Sequence, residues 1–216
     1  MKYALKFDKD KELYLHTLGF SDIKFMTKLS PFTIPEISSI TINLLPKRSK
    51  NIATFLNNCY PKQVQHTTLI CLENLTPLES YFPEFIKIAP KITHKMCFAA
   101  FKISERQLKR IFSAFKHVKA LIFYRSKLSV PTAPDFSSAL KLSQIQHLSL
   151  NRCDEVTTSD WSKSFNELQN LIQGLASSED FREKLAKMVI KKSCLGEKCI
   201  RTLMDENGFQ KVVIET

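Results

Sequence analysis

Histidine and cysteine are the side chains of this sequence best suited to chemistry near neutral pH. Five histidines (16, 66, 94, 117 and 147) and six cysteines (59, 71, 97, 153, 194 and 199) are spread along 216 residues. A nucleophilic Cys97–His147 pair requires the two side chains to touch. Both fall on segments that read as strands two rungs apart, about 10 Å at sheet spacing, which is too far. Cys194 and Cys199 have a C-x4-C spacing without the second pair that completes a zinc site. Asp8-Lys9-Asp10 is explained by a charged turn. The glycines at 19, 174, 196 and 208 cannot build a phosphate cradle, and neither H-E-x-x-H nor G-x-S-x-G occurs. The expectation is a protein that is not an enzyme, with no catalytic residue, metal, cofactor or small-molecule substrate.

The remaining chemistry is charge and apolar surface. Net charge is +11, carried by 25 lysines and 7 arginines. Such a balance suits nucleic acid, acidic protein or anionic lipid, although dedicated phosphate readers use more arginine. Two basic groups stand out: Lys102, Arg106, Lys109, Arg110 and Lys116 around one amphipathic segment, and Pro46-Lys47-Arg48-Ser49-Lys50. Either could lie on RNA phosphates, but a solvated face is the more economical reading of each. Hydrophobic content of 44% excludes disorder. No apolar run reaches the roughly 18 residues of a membrane helix. The start MKYALKFDKDKELYL, with acidic residues and no long apolar run, is expected to be neither a signal peptide nor a typical transit peptide. The cysteines lack a paired framework, so reduced thiols in an intracellular, most simply cytoplasmic, compartment are expected.

The elements that must position these residues are legible in Ile145–Cys153 (IQHLSLNRC). It reads L-x-x-L-x-L-x-x-C, with Ile145, Leu148 and Leu150 apolar and then Cys153. Alternation puts Leu148 and Leu150 on one face of a short strand, with the Cys153 thiol inside the turn that leaves it. Similar patterns start at 13, 40, 69, 96, 121, 148, 188 and 212, at intervals of 27, 29, 27, 25, 27, 40 and 24 residues. A period in the twenties is the mark of stacked strand-plus-helix units.

Between strands the chain turns helical. Residues 103–118 place Leu108, Ile111, Phe112 and Phe115 on one face, and 136–143 and 199–207 behave likewise. Prolines at 77, 83, 90, 131 and 134 make the earlier returns irregular. In the 40-residue interval Ser159–Gln173 reads as a helix broken by Gly174. A second helix, Ser178–Lys184, follows Ser177-x-x-Asp180, which has the form of a capping box.

These residues resemble the leucine-rich repeat family, in its cysteine-containing, ribonuclease-inhibitor-like branch. The resemblance implies an α/β leucine-rich-repeat-like solenoid spanning 1–216, with a parallel sheet on the concave side and helices and loops on the convex side. Residues 1–12 would be an N-terminal cap and 159–184 a helical insertion in the sixth repeat. Unrelated strands and helices of an ordinary α/β domain are the alternative. The resemblance implies protein–protein interaction: a non-catalytic subunit or adaptor docking into a larger assembly through other protein subunits. A basic accessory protein contacting RNA and a substrate-recognition adaptor are the alternatives.

In such a sheet the residues between the core leucines face outward. The central lane then contains Ile70, Cys97, Ile122, Val189 and Val213, unusually apolar for a wet surface. The expected partner-binding residues are Ile70, Leu72, Ile122, Tyr124, Val189 and Val213. Val212–Thr216 reads as a strand that docks against another subunit, a frayed end being the alternative.

Overall fold

Apolar side chains alternate with small or polar ones along each strand, and the period of two sends them to opposite faces. In the computed structural model, residues 15–18, 36–44, 60, 62–71, 76–77, 82–151, 153, 161–191 and 195–215 are described. Strands β1 (Leu15–Leu18), β2 (Glu36–Leu44), β3 (Gln63–Cys71), β5 (Ile92–Ala99), β7 (Ala120–Tyr124), β9 (His147–Asn151), β10 (Lys187–Lys191) and β11 (Val213–Glu215) form one sheet. Every neighbouring pair in it is parallel, and strand order follows chain order. A smaller parallel sheet contains β4 (Thr76–Pro77), β6 (Phe101–Ser104) and β8 (Lys127–Ser129). The protein is thus α/β with a parallel main sheet.

Parallel neighbours need a crossover, and helices supply most of it. Among the described residues they are α1 (Phe82–Ile88), α2 (Glu105–Ala114), α3 (Ser137–Leu140), α4 (Trp161–Ala176), α5 (Glu179–Lys184) and α6 (Glu197–Glu206). Pro83 sits in the first turn of α1, where its missing N–H costs nothing. Helix α2 starts at a complete capping box: Ser104 accepts from the Gln107 N–H and Gln107 Oε1 accepts from the Ser104 N–H. Its Leu108, Ile111 and Phe112, with Phe115 just beyond, are buried as the periodicity expects.

Two inward lanes run across the sheet. One aligns Ile42, Leu69, Phe98, Phe123, Leu150 and Ile190; the other aligns Ile40, Thr67, Met96, Leu121, Leu148 and Met188. Both belong to one apolar core, together with Phe85, Leu108, Ile172, Phe181 and Ile200 of the helices; Thr67, equally buried, is the polar exception. Phe98 and Phe123 stack at 5.9 Å, and Phe115 meets Phe98 edge-on at 5.7 Å.

The register corrects three anchors. Ile40 pairs with Leu15, not Leu13, and with Thr67, two residues before Leu69. Met188 pairs with Ile214 rather than Val212. Thr67 escaped the pattern because it is polar, yet it is fully buried, its hydroxyl 2.6 Å from that of buried Tyr60. Burial pushes the Tyr60 phenol well above its ordinary value, against the smaller downward pull of Thr67, so it stays neutral there.

Helix α4 also departs from expectation. Gly174 does not break it: the helix runs on to Ala176. A Cβ at Gly174 would lie 2.7 Å from the Pro134 carbonyl oxygen and 2.8 Å from its ring, so glycine is there for close approach to Pro134. The cap of α5 is Ser178, which accepts from the Phe181 N–H, rather than Ser177. Ser177 instead donates to the Gly174 carbonyl and accepts from the Phe136 N–H. The 1–12 cap, Leu13, Cys194 and the 46–50 basic loop lie outside the described residues.

Candidate docking face of the sheet

The turns leaving β7 and β9 hold the sheet's exit edge in place. Ser126 Oγ lies 3.2 Å from the Phe98 and Tyr124 carbonyls, shares its proton between them and accepts from the Phe101 N–H. Cys153 Sγ lies 3.2 Å from the Phe123 carbonyl and 3.8 Å from that of Asn151. The thiol therefore sits in the turn, as its spacing after Leu150 predicts. Ala100 and Arg125 adopt positive φ of 63° and 50°, and their N–H groups reach the Tyr124 and Asn151 carbonyls of the following strand.

With the strands fixed, three outward lanes follow from the register. The entry lane is Ser39, His66, Lys95, Ala120, His147, Lys187 and Val213. The central lane is Thr41, Thr68, Cys97, Ile122, Ser149, Val189 and Glu215. The exit lane is Ile70, Ala99, Tyr124 and Asn151.

The central lane is thus more polar than the sequence suggests. Ile70 moves to the exit lane and Val213 to the entry lane, because the anchors of β3 and β11 were each displaced by two residues. Displacement by two keeps a side chain on its face but changes its neighbours. Of the expected contact residues, Ile122 and Ile70 are half-buried, Tyr124 is 36% exposed and Val213 58%. Val189 is only 6% exposed, so it is floor rather than anchor. Leu72 lies outside the described residues. None of the five described residues belongs to the main core.

Electrostatics concentrate in the entry lane. His66 and His94 lie 5.3 Å apart, ring to ring. His66 is held below the usual imidazole value by burial first, then by Lys95 and His94. Burial, Lys187 and Lys95 do the same to His147, with Glu215 pulling the other way. His147 Nε2 is buried and has no hydrogen-bond partner among the described residues. Lys187 is ion-paired with Glu215. The Cys97 thiol is pushed up to about 11, chiefly by burial, so it is protonated at neutral pH and a poor nucleophile. Sequence reasoning missed this lane because it grouped outward residues by apolarity. The signal was present in Lys95, His147 and Lys187, each one residue before a core residue of its strand (Met96, Leu148, Met188).

The expected basic residues are divided among β6, α2 and the turn after it. Arg106, Lys109 and Arg110 are exposed on α2, but the Arg110 guanidinium lies over the buried Phe82 ring, 4.6 Å from its centre. Lys102 belongs to β6, in register with Lys127, and Lys116 lies past the helix C-cap. Among the described residues no group of three His, Cys, Asp or Glu could hold a metal ion, and no helix is long and apolar enough to cross a membrane. Compared with known proteins, the sequence matches no family model and no curated relative.

Proposed function

We propose that the protein is a leucine-rich-repeat-like solenoid whose work is non-catalytic: it docks a protein partner on the outward face of its sheet, as a subunit or adaptor of a larger assembly. Support for the solenoid comes from strand order that follows chain order, and from side-chain bonds to carbonyls of the preceding strand at Ser126 and Cys153, 27 residues apart. The docking reading rests on one observation. Ile70, Ile122, Tyr124 and Val213 are outward-facing apolar side chains that take no part in the main core. Side chains that neither build the core nor are uniformly polar suit a contact surface. RNA fits less well, since Arg110 is already stacked on Phe82.

The test is a photo-reactive amino acid at Ile122 or Tyr124 in the full chain, expressed in its native cells. Cross-links to protein are expected at both positions and none at exposed Lys163 on α4. Equal cross-linking at Lys163, or cross-links to RNA alone, contradicts the reading.

A further inference from the structure

The charge of the outward face is not spread evenly. On β3, β5, β7, β9 and β10 the entry lane runs His66, Lys95, Ala120, His147, Lys187. No carboxylate occurs among the outward residues of these strands. The first is Glu215 on β11, already paired with Lys187. Lys95 has no ion pair among the described residues, although its charge reaches His66, Cys97 and His147. The middle of the row is apolar: Ala120, with Ile122 two residues further along β7. The row is therefore basic at both ends with an apolar floor between.

Its length is set by the sheet. Lys95 and Lys187 stand three strand steps apart, about 14 Å at about 4.8 Å per step. An extended polypeptide advances about 3.4 Å per residue and turns alternate side chains to one side, so residues four apart also span about 14 Å. The residue midway between them points the same way and falls between β7 and β9, against Ala120 and the uncharged His147 ring, with Ile122 alongside.

We infer that this row binds an extended acidic segment of a partner protein, in which two carboxylates four residues apart flank an apolar side chain. The inference rests on the docking reading above and names the partner's chemistry. One carboxylate meets Lys95 beside His66; the other meets Lys187 beside His147, displacing Glu215. A nucleic acid strand suits the row less, because its phosphates would cross an uncharged centre. Lys95 and Lys187 are half-exposed, so binding weakens as salt rises.

A displayed library of random peptides, panned on the full-length protein, tests this. Enriched peptides should carry Asp or Glu four apart around an apolar residue. Lys95→Glu should weaken the best of them by about tenfold or more. The milder Lys95→Gln and Lys187→Gln, read alongside thermal melts, should each weaken it less without loss of fold. Lys163→Glu should leave binding within about twofold. Enriched peptides without the acid pair, equal binding when one acid is moved by a residue, or displacement of the peptide by single-stranded RNA overturns the proposal. If any of these occurs while Ile122 still cross-links to protein, only the acidic motif falls; if the cross-links also fail, the docking reading falls with it.

Discussion

Ile122 and Phe123 are consecutive residues of β7 with opposite roles. Phe123 is fully buried and stacked on Phe98, inside a core that runs from Ile40 to Val212. Ile122 is half-buried between Cys97 and Ser149 and contributes to no core. Both stand in the same parallel strand, between β5 and β9. The difference teaches that stability and recognition are separated by the pleat of the sheet, one residue apart, rather than assigned to different parts of the chain.

The largest effect should come from the inner face. Phe123→Ala should cost about 3–5 kcal/mol in denaturant unfolding, from lost burial and the cavity left behind. That is a large share of the stability of an ordinary domain. A cost below about 1 kcal/mol would mean that the Phe98–Phe123 stack is not core. Gly174→Ala should cost about 1–3 kcal/mol, because the new methyl meets the Pro134 backbone. In a helix free of that contact the same change would stabilise by about 1 kcal/mol, so the sign of the shift is informative.

At the sheet's exit edge, Ser126→Ala should cost about 1–3 kcal/mol by leaving buried polar groups unpaired. Ser126→Cys should be milder, since Cys153 does the corresponding work one strand later. Equal losses for both would show that the two turns are not alike.

On the outer face the expected effect is pH dependence. His66 and His147 are held below the ordinary imidazole value. The unfolded chain therefore binds more protons than the folded one, and stability rises with pH. The contribution is complete above the unfolded value, near pH 6.5, and is lost as pH falls through it toward the depressed folded value. Urea midpoints should be higher at pH 7.5 than at pH 5, and His66→Gln with His147→Gln should narrow the gap. An unchanged gap would place the titration elsewhere.

Much of the inner face was legible in the sequence. Alternation located the strands, and L-x-x-L-x-L-x-x-C placed the Cys153 thiol in its turn. Helical spacing picked out the buried side of α2. What escaped were features set by distant partners. Thr67 is a core residue only because Tyr60 meets its hydroxyl. Gly174 reads as a helix breaker until Pro134 is beside it. Val212 and Ile214 are both apolar and two apart, so alternation cannot choose between them, and the choice decides whether Val213 or Glu215 stands in the central lane. The outer face, read from those anchors, inherited the error at β3 and β11: Ile70 and Val213 changed rows, while the rows across β5, β7, β9 and β10 kept their members.

The most direct test of the account compares neighbours on β7. Phe123→Asp and Ile122→Asp place the same charge one residue apart. The account predicts that Phe123→Asp does not fold, while Ile122→Asp keeps a melting temperature within a few degrees of the parent and loses the protein cross-link formed from Tyr124. Two folded variants, two unfolded variants, or a folded Ile122→Asp that still cross-links would contradict it.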